Sequence, residues 1–299
     1  MRLEVTIAGM GDKLALLLHG FPECAYSWRY QIPVLASLGY RVWAPNLRGY
    51  GKSDKPAGIS EYTLDKLAED VADLIDASGA KSVLLCGHDW GGMIAWHVAM
   101  YRVRPIDRLV IMNAPHPACF YRHGRTLRQL RKSWYIAFFQ IPHLPEMLLS
   151  RRHCERVARA FTRMAVDRTR FPDEVLDVFR NNACEPGALT AMLNYYRAAR
   201  LSARIHRQRG FPTIDVPTLM LWGERDAALG KELTYGTDQY VSDLTLRYLP
   251  DVSHWVQQEA PERVNGLLEA WLDGRRLPET FDSSGATMAS SSARKNWSG

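Results

Sequence analysis

No run of this chain approaches the ~18 consecutive apolar residues that a membrane-crossing helix needs, and the amino terminus, Met1-Arg2-Leu3-Glu4, has no export-signal pattern. Neither a membrane span nor secretion is expected, and the sequence reads as cytoplasmic. Cysteine is scarce. The five present, Cys24, Cys86, Cys119, Cys154 and Cys184, are odd in number and never spaced Cys-x-x-Cys, so a zinc or redox motif is excluded and free thiols are expected. A nucleotide loop is also missing. Gly51-Lys52-Ser53 resembles the end of one, but the glycine required five positions earlier is Asn46. No metal and no cofactor is expected.

Acidic residues are thin in the middle of the chain. Positions 118–212 hold 18 Lys and Arg against 7 Asp and Glu, a surplus of 11, whereas the whole chain carries a formal charge of +6, so the remainder is net acidic. A basic surface can attract nucleic acid or anionic lipid. No nucleic-acid motif accompanies it, and Arg152, Arg156, Arg159 and Arg163 recur at helical spacing, as on a solvated face.

What is present is a long alternation of strand-like and helix-like stretches, in a chain of 299 residues with 46% hydrophobic content. Leu3–Ile7 alternates like an edge strand, and 13–18 is the continuous apolar run of a buried parallel one. Further strands are expected at 41–45, 82–86, 108–113, 216–222 and 244–249, with helices at 63–79 and 261–272. This rhythm predicts a mostly parallel sheet flanked by helices. Between 118 and 212 no strand pattern occurs, only helical stretches with aromatic clusters, which suggests an inserted helical lid. The expected units are therefore a core of 1–117 and 213–275, a helical cap of 118–212, and a Ser-rich tail, 276–299, without order.

The organising motif is Gly87-His88-Asp89-Trp90-Gly91, between the strand at 82–86 and an Ala-rich helical stretch. Gly-x-Asp-x-Gly at a strand–turn–helix junction is a nucleophile elbow with aspartate at its tip. A carboxylate nucleophile makes an alkyl ester, which only water activated by a base can hydrolyse. His254 follows the last strand, where the order nucleophile, acid, histidine places the base, and Asp226 follows the strand before it as the acid. Glu224, beside Arg225 in the same turn, is the poorer candidate. His19-Gly20-Phe21-Pro22-Glu23 ends the strand at 13–18. Gly20 lets that loop approach a ligand, and the Phe21 N–H is free to donate to a developing oxyanion.

Together His19-Gly-Phe-Pro-Glu23, Gly87-His-Asp-Trp-Gly91, Asp226 and His254 resemble the α/β-hydrolase-fold epoxide hydrolases, over roughly Leu14 to Leu272. The resemblance implies an α/β-hydrolase fold with a helical cap, and conversion of a small apolar epoxide and water to a vicinal diol through an ester on Asp89. It also implies two cap tyrosines, carried here to Tyr135 and Tyr196, with Tyr195 a neighbouring alternative. An alkoxide is a strongly basic leaving group, so acids with pKa near ~10 suit its protonation. The Trp90 N–H joins Phe21 as the second oxyanion donor. His19, Pro22, Trp134, Phe138 and Trp255 are expected to face the substrate. Haloalkane dehalogenases share the aspartate elbow and are the competing reading. Oligomeric state is not legible.

Overall fold

The computed structural model describes residues 1–277. Of the tail expected to lack order, 278–299 lies outside the described residues, and Leu277 is buried beside Trp271.

Among the described residues seven strands form one sheet: β1 (Val5–Ala8), β2 (Lys13–Leu18), β3 (Tyr40–Pro45), β4 (Val83–His88), β5 (Arg108–Met112), β6 (Thr218–Gly223) and β7 (Leu244–Leu249). Their spatial order is β1-β3-β2-β4-β5-β6-β7. Only β1 runs antiparallel, with Val5 opposite Pro45, while β4 lies parallel between β2 and β5 with Leu16 opposite Leu85 and Cys86 opposite Val110.

The continuous apolar strands follow from burial on both faces, since side chains of a strand alternate sides. Leu14, Leu16, Leu85, Leu109 and Ile111 enter one core, whereas Ala15, Leu17, Cys86, Val110 and Met112 enter the other. Each fully buried leucine of this kind contributes roughly 1.5–3 kcal/mol. A one-residue register slip would exchange the two cores throughout a strand.

Short helix α1 (Gln31–Ser37) follows β2. Helix α2 (Leu64–Ser78) begins after Thr63 and ends at Gly79, whose φ of 64° is left-handed; the Thr63 side chain makes no capping bond and donates instead to the Ser60 carbonyl. Helix α3 (Trp90–Met100) leaves the end of β4 and lies almost wholly buried on the sheet.

Between β5 and β6 the regular elements are helices: α4 (Pro117–His123), α5 (Leu127–Lys132), α6 (Trp134–Phe139), α7 (Leu144–Met164), α8 (Asp173–Cys184) and α9 (Ala188–Arg209). Helix α7 breaks at Arg151–Cys154, where Arg152, His153 and Cys154 all have positive φ. There Cys154 is bonded to Cys184 at the end of α8, with Cα atoms 6.0 Å apart. This corrects the expectation of five free thiols. Their separation of 30 residues has no motif, and only the pairing of α7 with α8 brings them together. Cys24, Cys86 and Cys119 are free and buried. The chain closes with α10 (Val256–Glu259) and α11 (Pro261–Leu272). Among the described residues no helix is long and apolar enough to cross a membrane.

Candidate active site

The site lies at the carboxyl ends of β2, β4, β6 and β7, roofed by α6 and α9. Asp89 sits between β4 and α3 with φ 50° and ψ −117°, a conformation that costs a non-glycine residue roughly 1–3 kcal/mol and projects its side chain out of the turn. Close packing around it makes the neighbouring glycines obligatory. A Cβ on Gly91 would lie 2.1 Å from the Leu18 carbonyl oxygen, and one on Gly20 would lie 2.4 Å from the Cβ of Asp89.

The approach of Gly20 brings the next peptide into play. The Phe21 N–H donates to Asp89 Oδ1 at 2.8 Å. Trp90, the first residue of α3, makes no backbone N–H bond to that carboxylate among the described residues; its indole stands edge-on to Tyr196, 5.1 Å between ring centres. The other oxygen, Asp89 Oδ2, is 3.6 Å from His254 Nε2, beyond hydrogen-bonding distance but in ionic contact.

On its far side the imidazole is fixed. His254 Nδ1 donates to Asp226 Oδ2 at 2.6 Å. Asp226 is itself saturated: Oδ2 also accepts from Asn113 Nδ2 at 2.7 Å, and Oδ1 accepts the backbone N–H groups of Ala228 and Leu229. Burial would raise the Asp226 pKa, but the facing His254 and these donors hold it below the ordinary value. Burial likewise works against a proton on His254, and Asp226 and Asp89 together overcome it, lifting the imidazole to about 10. The resting constellation is therefore two carboxylates sharing one imidazolium. Glu224 does not reach it; its carboxylate pairs with Lys231.

A second network, which sequence reasoning missed, braces both loops. Glu23 is fully buried and accepts from the Gly20 N–H at 2.8 Å, His88 Nδ1 at 2.7 Å, and the amides of Gln257 and Gln258. Burial raises its pKa, yet His88 and the Gly20 N–H prevail and lower it to about 2. The other His88 nitrogen, Nε2, faces the His254 carbonyl at 2.9 Å. With a carboxylate and a carbonyl as partners, both ring nitrogens are placed as donors. One side chain thus ties the Phe21 loop to the His254 loop.

Above the carboxylate stand two phenols. The Tyr135 and Tyr196 rings meet edge to face, 5.8 Å between centres, and Tyr196 also packs on Phe21 at 5.2 Å. Burial raises the pKa of each; the charge on Asp89 raises both further, as does the Tyr135 phenol for Tyr196, so both hydroxyls keep their hydrogens. Tyr195 faces away, donating from its hydroxyl to the Arg48 carbonyl at 2.7 Å.

The residues expected around the substrate divide. Phe138 packs on Phe139, which meets Tyr196 and Phe21. Trp134 is 65% exposed and points outward, which corrects its placement in the pocket. Consecutive side chains of a helix are about 100° apart, so Trp134 lies on a different side of α6 from Tyr135. His19 is buried within the loop, with Nδ1 donating to the Gly20 carbonyl and Nε2 accepting from the Leu47 N–H, and Pro22 is buried beside it. Trp255 is buried under α7, its ring 4.5 Å from that of Phe161 and its indole donating to the Phe161 carbonyl. These three support the site rather than face it. Among the described residues no cluster of three or more metal-ligating side chains occurs.

A strand–turn–helix elbow on a parallel sheet, facing a histidine held by a carboxylate, defines an α/β hydrolase. Residues 15–261 match the alpha/beta hydrolase fold family. The chain is 40% identical to epoxide hydrolase 4 of Mus musculus, over 91% of this chain and 76% of that protein. It is 38% identical to the AB hydrolase superfamily protein YfhM of Bacillus subtilis, over 90% and 94% of the two chains. Among solved structures, an epoxide hydrolase of Bacillus megaterium in complex with an inhibitor superposes with a TM-score of 0.83, at 30% identity over 91% of this chain and 96% of that one. The chain belongs to the epoxide hydrolases of the α/β-hydrolase fold.

Proposed function

We propose that the protein hydrolyses small apolar epoxides to vicinal diols, with Asp89 as nucleophile. Asp89 Oδ2 forms a bond to an epoxide carbon as the carbon–oxygen bond breaks, and Tyr135 or Tyr196 gives its hydrogen to the departing oxygen. The product of this half-reaction is a hydroxyalkyl ester. As the Asp89 charge is lost the His254 imidazolium gives up its proton, which restores the tyrosine hydroxyl, and the now neutral His254 takes a proton from water as that water attacks the ester carbonyl, while Asp226 steadies the imidazolium re-formed. Oδ1, already on the Phe21 N–H, becomes the oxyanion, with the Trp90 N–H as the second donor once charge develops there. Collapse expels the diol, protonated by His254, and the proton left on the Asp89 acid passes to His254, restoring the carboxylate and the imidazolium. No step calls for a cofactor. The α4–α9 block acts as a cap that keeps bulk water from the ester.

The observation that carries this reading is the pair of phenols, Tyr196 buried and Tyr135 half-buried, meeting edge to face above a carboxylate at an elbow. A departing halide needs no proton, so a dehalogenase would have no use for them. The test is a single turnover in heavy-oxygen water, run beside a halide-release assay with haloalkanes. The label is expected in the Asp89 carboxylate, because water attacks the ester carbonyl. Label confined to the diol, or halide release in place of diol formation, would overturn the assignment.

A further inference from the structure

The outer surface of the helical block is apolar and basic together. Leu127, Leu130, Trp134 and Ala137 recur three and four residues apart across α5 and α6, with Ile141 just beyond, a spacing that within each helix keeps side chains on one side. All are exposed, Leu127 at 77% and Trp134 at 65%. Single exposed apolar side chains are ordinary on a soluble protein, but a run of them along consecutive helices marks an interaction surface.

Within the segment that forms this face the charge is almost all of one sign, and Glu232, which reaches it from elsewhere, is paired with Arg128. From Arg125 to Arg152 there are six Lys and Arg and a single acid, Glu146, which is neutralised by Arg197 at 2.7 Å. Arg125 and Arg131, on the same stretch as the exposed leucines, have no hydrogen-bond or ion-pair partner among the described residues, whereas Arg128 reaches Glu232. Other exposed arginines divide: Arg102 pairs with Asp215 and Arg104 with Asp76, whereas Arg156, Arg163 and Arg204 of the helical block also have no ion-pair partner among the described residues.

We infer that α5 and α6 dock the protein peripherally onto an anionic phospholipid surface, with Leu127, Leu130 and Trp134 entering the headgroup boundary and Arg125 and Arg131 on the phosphates. Alternation of aliphatic and aromatic side chains with arginine is the composition that lies in such an interface. A second copy of the chain would set arginine against arginine, and the aliphatic centre offers nucleic acid no flat rings beyond Trp134. The docked face is the outer side of α6, whose inner side carries Tyr135. An apolar substrate dissolved in the bilayer would thus meet the protein beside its site. The docking itself does not depend on which substrate the site takes.

The test uses the full chain and vesicles of phosphatidylcholine with and without phosphatidylserine, scored by co-sedimentation. Binding is expected only with the anionic lipid and should weaken as salt is raised. Each arginine removed, Arg125→Gln or Arg131→Gln, should weaken it about fivefold. Leu127→Ser with Leu130→Ser should abolish it, while the melting temperature and turnover of a water-soluble substrate stay as in the parent. Absence of binding to anionic vesicles, binding unmoved by these substitutions, or self-association through the same face in place of vesicle binding would overturn the inference.

Discussion

At the residue scale, the charge on Asp89 decides when His254 can act. Burial alone would strip the imidazole of its proton, and Asp226 and Asp89 are what hold it there, up to about 10. In the proposed mechanism, formation of the ester erases the Asp89 charge, so one of the two supports disappears and the histidine becomes a base only after the first half-reaction. His254→Gln should therefore leave alkylation intact and block hydrolysis, so that intact-protein mass spectrometry after mixing with substrate shows one added substrate mass. Unchanged mass together with lost turnover would place the histidine in the first step. The adjacent tyrosines make a sharper comparison. Tyr196→Phe should lower kcat by about 10²–10³, the usual effect of removing one donor to developing charge. Tyr195→Phe removes its bond to the Arg48 carbonyl, lowering stability by about 1 kcal/mol while kcat is retained. Steady-state kinetics and thermal melts on the pair separate the two.

At the scale of elements, the elbow and the Phe21 loop are a single fitted unit, because Gly20 packs directly on Asp89. Gly20→Ala would bring a methyl group within 2.6 Å of Asp89 Oδ1 and force the loop away, taking the Phe21 N–H with it. A loss of about 10²–10³ in kcat with little change in secondary structure by circular dichroism is expected. The same packing explains what could be read in advance. β2, β7 and α11 begin and end where their apolar patterns do, since one residue's burial on a sheet or helix face is a local property. Asp89, Asp226 and His254 are legible because each follows a strand, and strand ends in an open parallel sheet converge. Asn113, with φ 40° at the end of β5, could have been suspected on the same ground, since the strand lies between those of Asp89 and Asp226. The Glu23–His88 brace was not legible, because it joins side chains from three distant segments, and neither was the Cys154–Cys184 bond. Trp134 was misplaced because an aromatic residue beside Tyr135 looks the same in sequence whichever side of α6 it occupies.

At the scale of the whole molecule, buried histidines set opposing dependences on pH. His19, His97 and His206 are lowered to about 4 and His116 to about 3, in each case chiefly by burial. They are neutral when folded but take up protons when unfolded below the ordinary 6.5, so acidification from there toward about 4 favours the unfolded chain. His254 acts oppositely. Its raised value contributes stability that is fully present below 6.5 and is lost as pH climbs through about 10. The melting temperature should peak near neutrality and fall on both sides, and His254→Gln should flatten the alkaline limb alone; differential scanning fluorimetry across that range reads both. Finally, β5 and β6 are neighbours in the sheet, with Leu109 beside Thr218 and Met112 beside Leu221. The chain leaves for all of α4–α9 and returns at almost the same point. That seam allows the roof to be exchanged for one from another hydrolase with a single pair of junctions, so the shape of the substrate chamber can drift in evolution, or be recombined at the bench, without redrawing the machinery beneath it.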